Sequence, residues 1–292
     1  MTFRGAMTAL VTPFKDGQID QEALSDLVEW QIAQGIDGLV PCGTTGESIT
    51  LSAEEHARVI NIVVERAKRR VPVLAGAGAA STRHTVELCQ AAKEAKADGV
   101  LLVAPYYNRP SPQGLVAHFE AVLREVSFPT VLYNIPKRTG VDMDLAVLER
   151  LSALSDIVGI KEATGQILRS QDIVAAFGTR FCVLSGDDTI VLGILAVGGQ
   201  GVISVTSNVV PDRIARVVSL FDQGKICEAR TLHQSLLPLH TALFLESNPG
   251  PVKAALAHLN KISLELRLPL VQPERAILDK IRDALTDVTG GT

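Results

Sequence analysis

Eight short apolar runs, each followed by a longer amphipathic stretch, constrain this chain more than any other feature it has. The runs occupy 6–12 (AMTALVT), 38–42 (GLVPC), 72–77 (PVLAGA), 99–104 (GVLLVA), 130–133 (TVLY), 157–161 (IVGIK), 181–185 (FCVLS) and 201–205 (GVISV). They are continuously apolar rather than alternating, which is how parallel strands covered on both faces read. Their starts lie 20 to 34 residues apart by counting, about the length of one βα unit. The stretches between them read as helices. Ser52-Ala-Glu-Glu55 has the spacing of a capping box, and Val59, Ile62, Val63 and Ala67 then share one face. Segments 82–95 and 112–126 repeat the pattern. Eight such units predict a closed (β/α)₈ TIM barrel, which takes about 250 residues. An open doubly wound sheet is the competing topology, because strand count alone does not decide closure.

The eighth unit ends near Gln223, and 224–292 carries no further strand run. The expected division is a barrel over 1–223 and a C-terminal helical extension over 224–292, with helices near 226–245, 251–259 and 273–288. Of the 292 residues 47% are hydrophobic, enough for a large core. The net charge of −4 argues against a nucleic-acid binder, which carries a basic stripe. The first residues, broken by Pro13, do not make a signal peptide. The longest apolar run, 189–199, falls short of the roughly 18 residues that a membrane span needs. Four cysteines lie far apart with no C-x-x-C, and three sit in apolar runs as expected buried thiols. A reducing, cytoplasmic setting with no membrane role is expected.

In such barrels the active site lies at the C-terminal ends of the strands, so the question becomes which reactive residues end a strand run. Nine of the ten lysines fall in segments read as helices or loops, where solvated charge is the ordinary expectation. Lys161 instead closes the sixth run. An amine among apolar neighbours is disfavoured in its charged form, and a neutral amine is a nucleophile for carbonyls. The alternative is that Lys161 pairs with a carboxylate such as Glu162. Tyr133 closes the fifth run, so the two should lie side by side, where a phenol can serve proton transfer at an imine. Tyr106 and Tyr107 follow the fourth run, Tyr106 reading as a core tyrosine with its hydroxyl bonded. The turn Gly43-Thr44-Thr45-Gly46-Glu47 follows the second run. Its N–H groups and hydroxyls suit a carboxylate or phosphate, though tight βα turns often look this way. Arg138, just past the fifth run, suits a carboxylate or a plain surface loop. Gly76-Ala-Gly78-Ala-Ala-Ser81 lacks the third glycine of a dinucleotide fingerprint, and there is no Walker A sequence. The six histidines show no metal-binding spacing and read as solvated or capping residues. A mechanism without metal or cofactor is expected.

Gly38-Leu-Val-Pro-Cys-Gly-Thr-Thr-Gly-Glu47, Tyr133-Asn-Ile-Pro136 and Gly159-Ile-Lys-Glu-Ala163 resemble the signatures of the dihydrodipicolinate synthase / N-acetylneuraminate lyase family. Ala104-Pro-Tyr-Tyr-Asn108, Leu184-Ser-Gly-Asp187, Gly201-Val-Ile-Ser204 and Asn248-Pro-Gly-Pro-Val-Lys253 extend the likeness along the chain. The resemblance implies a lyase that forms a pyruvate Schiff base on Lys161. It implies a proton relay of Tyr133, Thr44 and Tyr107, with Tyr107 supplied by the other subunit of a tight dimer. It further implies that Thr45 binds the pyruvate carboxylate, that the carbonyls of Gly186 and Ile203 line the pocket, and that Arg138 holds a second substrate's carboxylate. The Thr44-Thr45 pair and Arg138 favour members that condense pyruvate with L-aspartate-4-semialdehyde, on the diaminopimelate route to lysine, over those that cleave sialic or sugar acids. A homotetramer, a dimer of dimers, is the expected assembly. Ser48, His56 and Tyr106 match the family's lysine effector site. Ala80 and His84 depart from it, since His84 stands where a carboxylate would meet the effector's ammonium, so weak or absent lysine feedback is expected. A non-catalytic binding barrel is the reading from another class.

Overall fold

The computed structural model describes residues 3–289. Eight parallel strands form its main sheet: β1 Gly5–Ala9, β2 Gly38–Val40, β3 Leu74–Gly76, β4 Gly99–Val103, β5 Thr130–Asn134, β6 Ile157–Glu162, β7 Cys182–Ser185 and β8 Gly201–Ser204. Each lies inside, or within a residue of, one of the eight apolar runs. The ladder runs β2-β1-β8-β7-β6-β5-β4-β3. A single bridge, Leu39 to Val73, brings its two ends together. The structure is therefore a TIM barrel and not an open sheet. The bridge is short for a physical reason: Pro41 and Pro72 stand at this seam with no N–H to give. Their carbonyls still accept, from Gly76 N at 2.9 Å and Leu39 N at 3.0 Å.

The helices follow the strands: α1 Gln21–Ala33, α2 Ala53–Ala67, α3 Thr82–Glu94, α4 Pro112–Val126, α5 Leu145–Ser152, α6 Ile167–Phe177, α7 Val191–Ala196 and α8 Pro211–Asp222. Asp20, Ser81, Ser111 and Asp144 cap their helices by accepting the amide three residues on. Ser52 and Glu55 form the expected capping box on α2, a motif whose cap residue is worth about 1 kcal/mol. One feature has no counterpart among the apolar runs. Phe14–Lys15 and Gln18–Ile19 form a small hairpin, turned by Asp16 and Gly17, both at positive φ, as a two-residue hairpin loop requires.

Two apolar layers result. Phe3, Met7, Val40, Leu74, Leu101, Val131, Leu184 and Ile203 fill the barrel, while a larger cluster packs between the sheet and the helices. Beyond α8, the helices α9 Ile226–Ala242, α10 Gly250–His258 and α11 Arg275–Thr289 form the C-terminal extension and pack on one another and on α8. Among the described residues no helix is long and apolar enough to cross a membrane.

The histidines correct the sequence expectation. His56, His118, His233 and His240 are buried, and only His84 and His258 are exposed. They sit on the inward faces of amphipathic helices, where one polar residue does not disturb the apolar period. Cys42, Cys89 and Cys182 are buried and Cys227 is exposed, all as free thiols; burial pushes the Cys89 and Cys182 thiols up to about 12.

Candidate active site

Lys161 and Tyr133 face the barrel interior on adjacent strands, paired directly across the ladder. A bulge makes this possible. The register steps from Thr130–Ile157 to Val131–Gly159, leaving Val158 as the extra residue. Such an insertion inverts which residues face inward. Gly159 and Lys161 thereby point into the barrel and Ile160 and Glu162 point out. The Lys161 amine lies 4.3 Å from the centroid of the Tyr133 ring, and both residues are only 6% exposed. Glu162 does not pair with Lys161. Its oxygens accept from Asn134 Nδ2 at 3.0 Å and from the backbone N–H of Thr164 at 2.6 Å. Asn134 also donates to Asp142 at 2.7 Å. One pleat position beyond Tyr133 and Lys161, on the opposite face, the buried Asn134–Glu162 contact thus pins the two strand ends together. Room for the lysine comes from Gly186. A Cβ there would stand 2.6 Å from the Ala163 Cβ and 3.1 Å from the Lys161 Cε.

A cavity of about 350 Å³ opens at Tyr133, with Lys161 behind the tyrosine and not among its lining residues. Tyr133, Thr44, Arg138, Tyr106 and Cys42 are among its lining residues. Lys161 meets it by way of the Tyr133 ring. The Gly43–Glu47 turn forms one wall. Glu47 N donates to Thr44 O at 3.1 Å, and Gly46 N to Gly43 O at 3.1 Å. Cys42 and Glu47 adopt left-handed backbone at φ 55° and 53°, a conformation that costs a non-glycine residue roughly 1–2 kcal/mol. Gly76 lets the Cys42 backbone come close, since a Cβ at Gly76 would stand 2.1 Å from the Cys42 carbonyl oxygen. Burial raises the Cys42 thiol well above its ordinary range. Burial also lowers His56, which is bonded to Gly76 O at 2.8 Å.

The structure gathers most of the expected residues and sets one apart. Thr44 and Arg138 line the cavity with Tyr133. Thr45 is buried beside it, and its hydroxyl accepts from Asn248 Nδ2 at 3.0 Å. Gly186 packs on Lys161, and Ile203 belongs to the interior cluster. Tyr107 is 90% exposed and turned away from its own chain's cavity. Tyr106, expected as a core residue, is half-buried and lines the cavity. Asn248 had no assigned part, yet it joins two of the site residues: its carbonyl accepts from Arg138 Nη2 at 3.3 Å while its amide holds Thr45. Asn134 likewise had no assigned part, and Glu162 was expected only as a possible partner of Lys161. For these two the signal in the sequence is adjacency to Tyr133 and Lys161.

A barrel that presents a buried amine and a phenol in register at its strand ends has the equipment of a lyase working through a Schiff base. The profile of the Dihydrodipicolinate synthetase family matches residues 2–288. The 4-hydroxy-tetrahydrodipicolinate synthase of Nitratidesulfovibrio vulgaris is 52% identical over 286 residues, covering 98% of each chain. The solved 4-hydroxy-tetrahydrodipicolinate synthase of the methanotroph Methylacidiphilum fumariolicum superposes with a TM-score of 0.97 at 46% identity, over 99% of this chain and 97% of that one. A chloride-inhibited dihydrodipicolinate synthase from Acinetobacter baumannii, solved in complex with pyruvate, gives a TM-score of 0.97 at 42% identity over 99% of both chains. The chain belongs to the dihydrodipicolinate synthetase family.

Proposed function

We propose that this chain is a lyase that condenses pyruvate, held as a Schiff base on Lys161, with L-aspartate-4-semialdehyde in the diaminopimelate route to lysine. The observation that carries the reading is the buried Lys161 amine against the Tyr133 ring beneath the cavity. The named relatives, at about half identity over nearly the whole chain, support the choice of aldehyde. The Lys161 amine adds to the keto carbon, and loss of water leaves the imine. Tyr133 carries protons to and from the departing oxygen, with Thr44 and a partner subunit's tyrosine at position 107 completing the relay. Removal of a proton from the methyl carbon gives an enamine, which attacks the aldehyde and forms the new C–C bond. Closure by the amino group of the semialdehyde then displaces Lys161 and frees the product.

Thr45 and the N–H groups of its turn take the pyruvate carboxylate in this reading, the carbonyls of Gly186 and Ile203 line the keto acid's site, and Arg138 at the mouth takes the carboxylate of the semialdehyde. Residues 1–223 carry the chemistry and 224–292 brace it. The exposure of Tyr107 fits a residue lent to a neighbouring subunit, so the working unit is a dimer, assembled into a tetramer, in the cytoplasm.

Reductive trapping tests the assignment. Pyruvate with borohydride should add one reduced pyruvate group to the wild-type chain, mapped to the Lys161 peptide, and nothing to Lys161→Ala. A label elsewhere, or none, ends the proposal; turnover of sugar acids without turnover of the semialdehyde would move the chain to another branch of the same chemistry. Lysine feedback is expected to be weak. In the small cavity of about 90 Å³ beside the main one, His84 is bonded to Glu87 at 3.3 Å, and no carboxylate is among the residues that line it. Half-inhibition by sub-millimolar lysine in a coupled assay would contradict this.

A further inference from the structure

Lys253 was expected to be a solvated helix lysine. It is instead fully buried, in an ion pair with Glu47 at 2.5 Å whose two side chains are both 0% exposed. Isolated buried charges are costly, and they persist only when paired and fully hydrogen-bonded. Here they are. The ammonium donates to Glu47 and to Glu265 O at 2.8 Å, and stands 4.2 Å from the centroid of the Phe14 ring. Burial pulls the Lys253 ammonium below its ordinary range while Glu47 opposes that pull. The second Glu47 oxygen accepts from the Arg267 backbone N–H at 3.0 Å. The Arg267 guanidinium covers Phe14 on its own account, 4.3 Å from the centroid. It grips Glu55 through two bonds of 2.6 Å and reaches Thr50 O and Gly17 O at 3.0 Å each.

The position of this network gives it meaning. Glu47 is the last residue of the turn that carries Thr44 and Thr45, its own N–H bonds Thr44 O, and its backbone is left-handed. No strand ladder holds the turn. From the barrel the Thr12 hydroxyl donates to Gly46 O at 2.7 Å, and from the C-terminal extension Lys253 and Arg267 grip Glu47 while Asn248 holds Thr45.

We infer that Lys253 is a positioning residue, acting through Glu47 to fix the turn that presents Thr44 and Thr45 to the keto acid. This rests on the reading of the cavity as the keto acid's site. The extension is then part of the site's machinery, and the buried pair is the joint between them.

The experiment compares the wild type with Lys253→Met, Glu47→Gln and the double variant Glu47→Gln/Lys253→Met. Each single change strands one partner in the interior and should lower the melting temperature sharply. The double change removes both charges at nearly constant volume and should recover most of that loss. In the folded double variant the turn loses its charged joint to Lys253 and keeps only its neutral contacts. The KM for pyruvate should rise, and the rate of borohydride-trapped adduct formation should fall, by about 10–100-fold, the scale of a displacement near 1 Å at a reacting site. Adduct should still reach the wild-type level at saturating pyruvate. If the double variant does not fold, Glu47→Asp decides: it keeps the charge, draws the carboxylate back by one methylene, and should raise the pyruvate KM in the same direction. A stable double variant, or a folded Glu47→Asp, with unchanged pyruvate KM and adduct rate overturns the inference. Failure of the wild type to form any adduct would instead strike the functional reading beneath it.

Discussion

At the scale of single residues, the proposed chemistry depends on Tyr133 and on Lys161, which a bulge turns toward it. Had Val158 stayed in a regular ladder, strict alternation from Ile157 would turn Lys161 toward the outer helices and Glu162 inward. In the proposed mechanism Tyr133, its ring 4.3 Å from the amine, carries the proton, so Tyr133→Phe should lower kcat by about 10²–10⁴-fold, the usual span for one proton-transfer group. Steady-state kinetics with both substrates would show it, and unimpaired turnover would remove the phenol from the mechanism. Lys161 and Tyr133 were legible in the sequence because each closes an apolar run, where position alone implies the barrel mouth. Lys253 was not legible. A lysine inside a helix declares nothing about burial until the carboxylate opposite it is known, and Glu47 lies 206 positions away by the numbering. The same reason hid the part of Asn248, whose partners Thr45 and Arg138 come from two other βα loops.

At the scale of elements, all eight strands could be read from continuous apolarity, and the start of α2 from its capping box. The hairpin of Phe14–Lys15 with Gln18–Ile19 escaped because its arms are too short to show a period. The inward histidines escaped for a related reason, since a helix face tolerates one polar residue without losing its pattern. His118 has a consequence that can be measured. It sits at the seam of α3 and α4, bonded to Thr82 at 2.9 Å and edge-on to Phe119. Burial holds its imidazole down at about 4, against an ordinary value of 6.5. Between those values the unfolded chain binds a proton that the folded chain refuses, so stability rises with pH through this window and is lost as pH falls. His118→Gln should flatten the dependence by about 2–3 kcal/mol. Urea unfolding at the two ends of the window checks it, and an unchanged slope would clear His118 of the effect.

At the scale of the whole molecule, the position of Tyr107 makes a statement about assembly. A tyrosine 90% exposed on left-handed backbone contributes nothing to the cavity of its own chain. If it serves a neighbour, two inactive variants should repair each other. Mixing Lys161→Ala with Tyr107→Phe, after dissociation and reassociation, should restore activity well above either alone, because mixed dimers contain one site with both groups intact. Mixtures no more active than their parts would confine each site to one chain. The assembly could not be read from periodicity or charge, since an interface is only as apolar as the rest of many surfaces.

The seam between β2 and β3 bears on all of this. Seven of the eight joints in the hoop are laced by ladders, and the eighth is closed by one bridge between two prolines. That joint leads into the turn bearing Thr44 and Thr45, so the clasp of the hoop lies next to a turn that Asn248, Lys253 and Arg267 grip from outside. Disturbance of the C-terminal helices at Lys253 should therefore cost turnover and heat stability together.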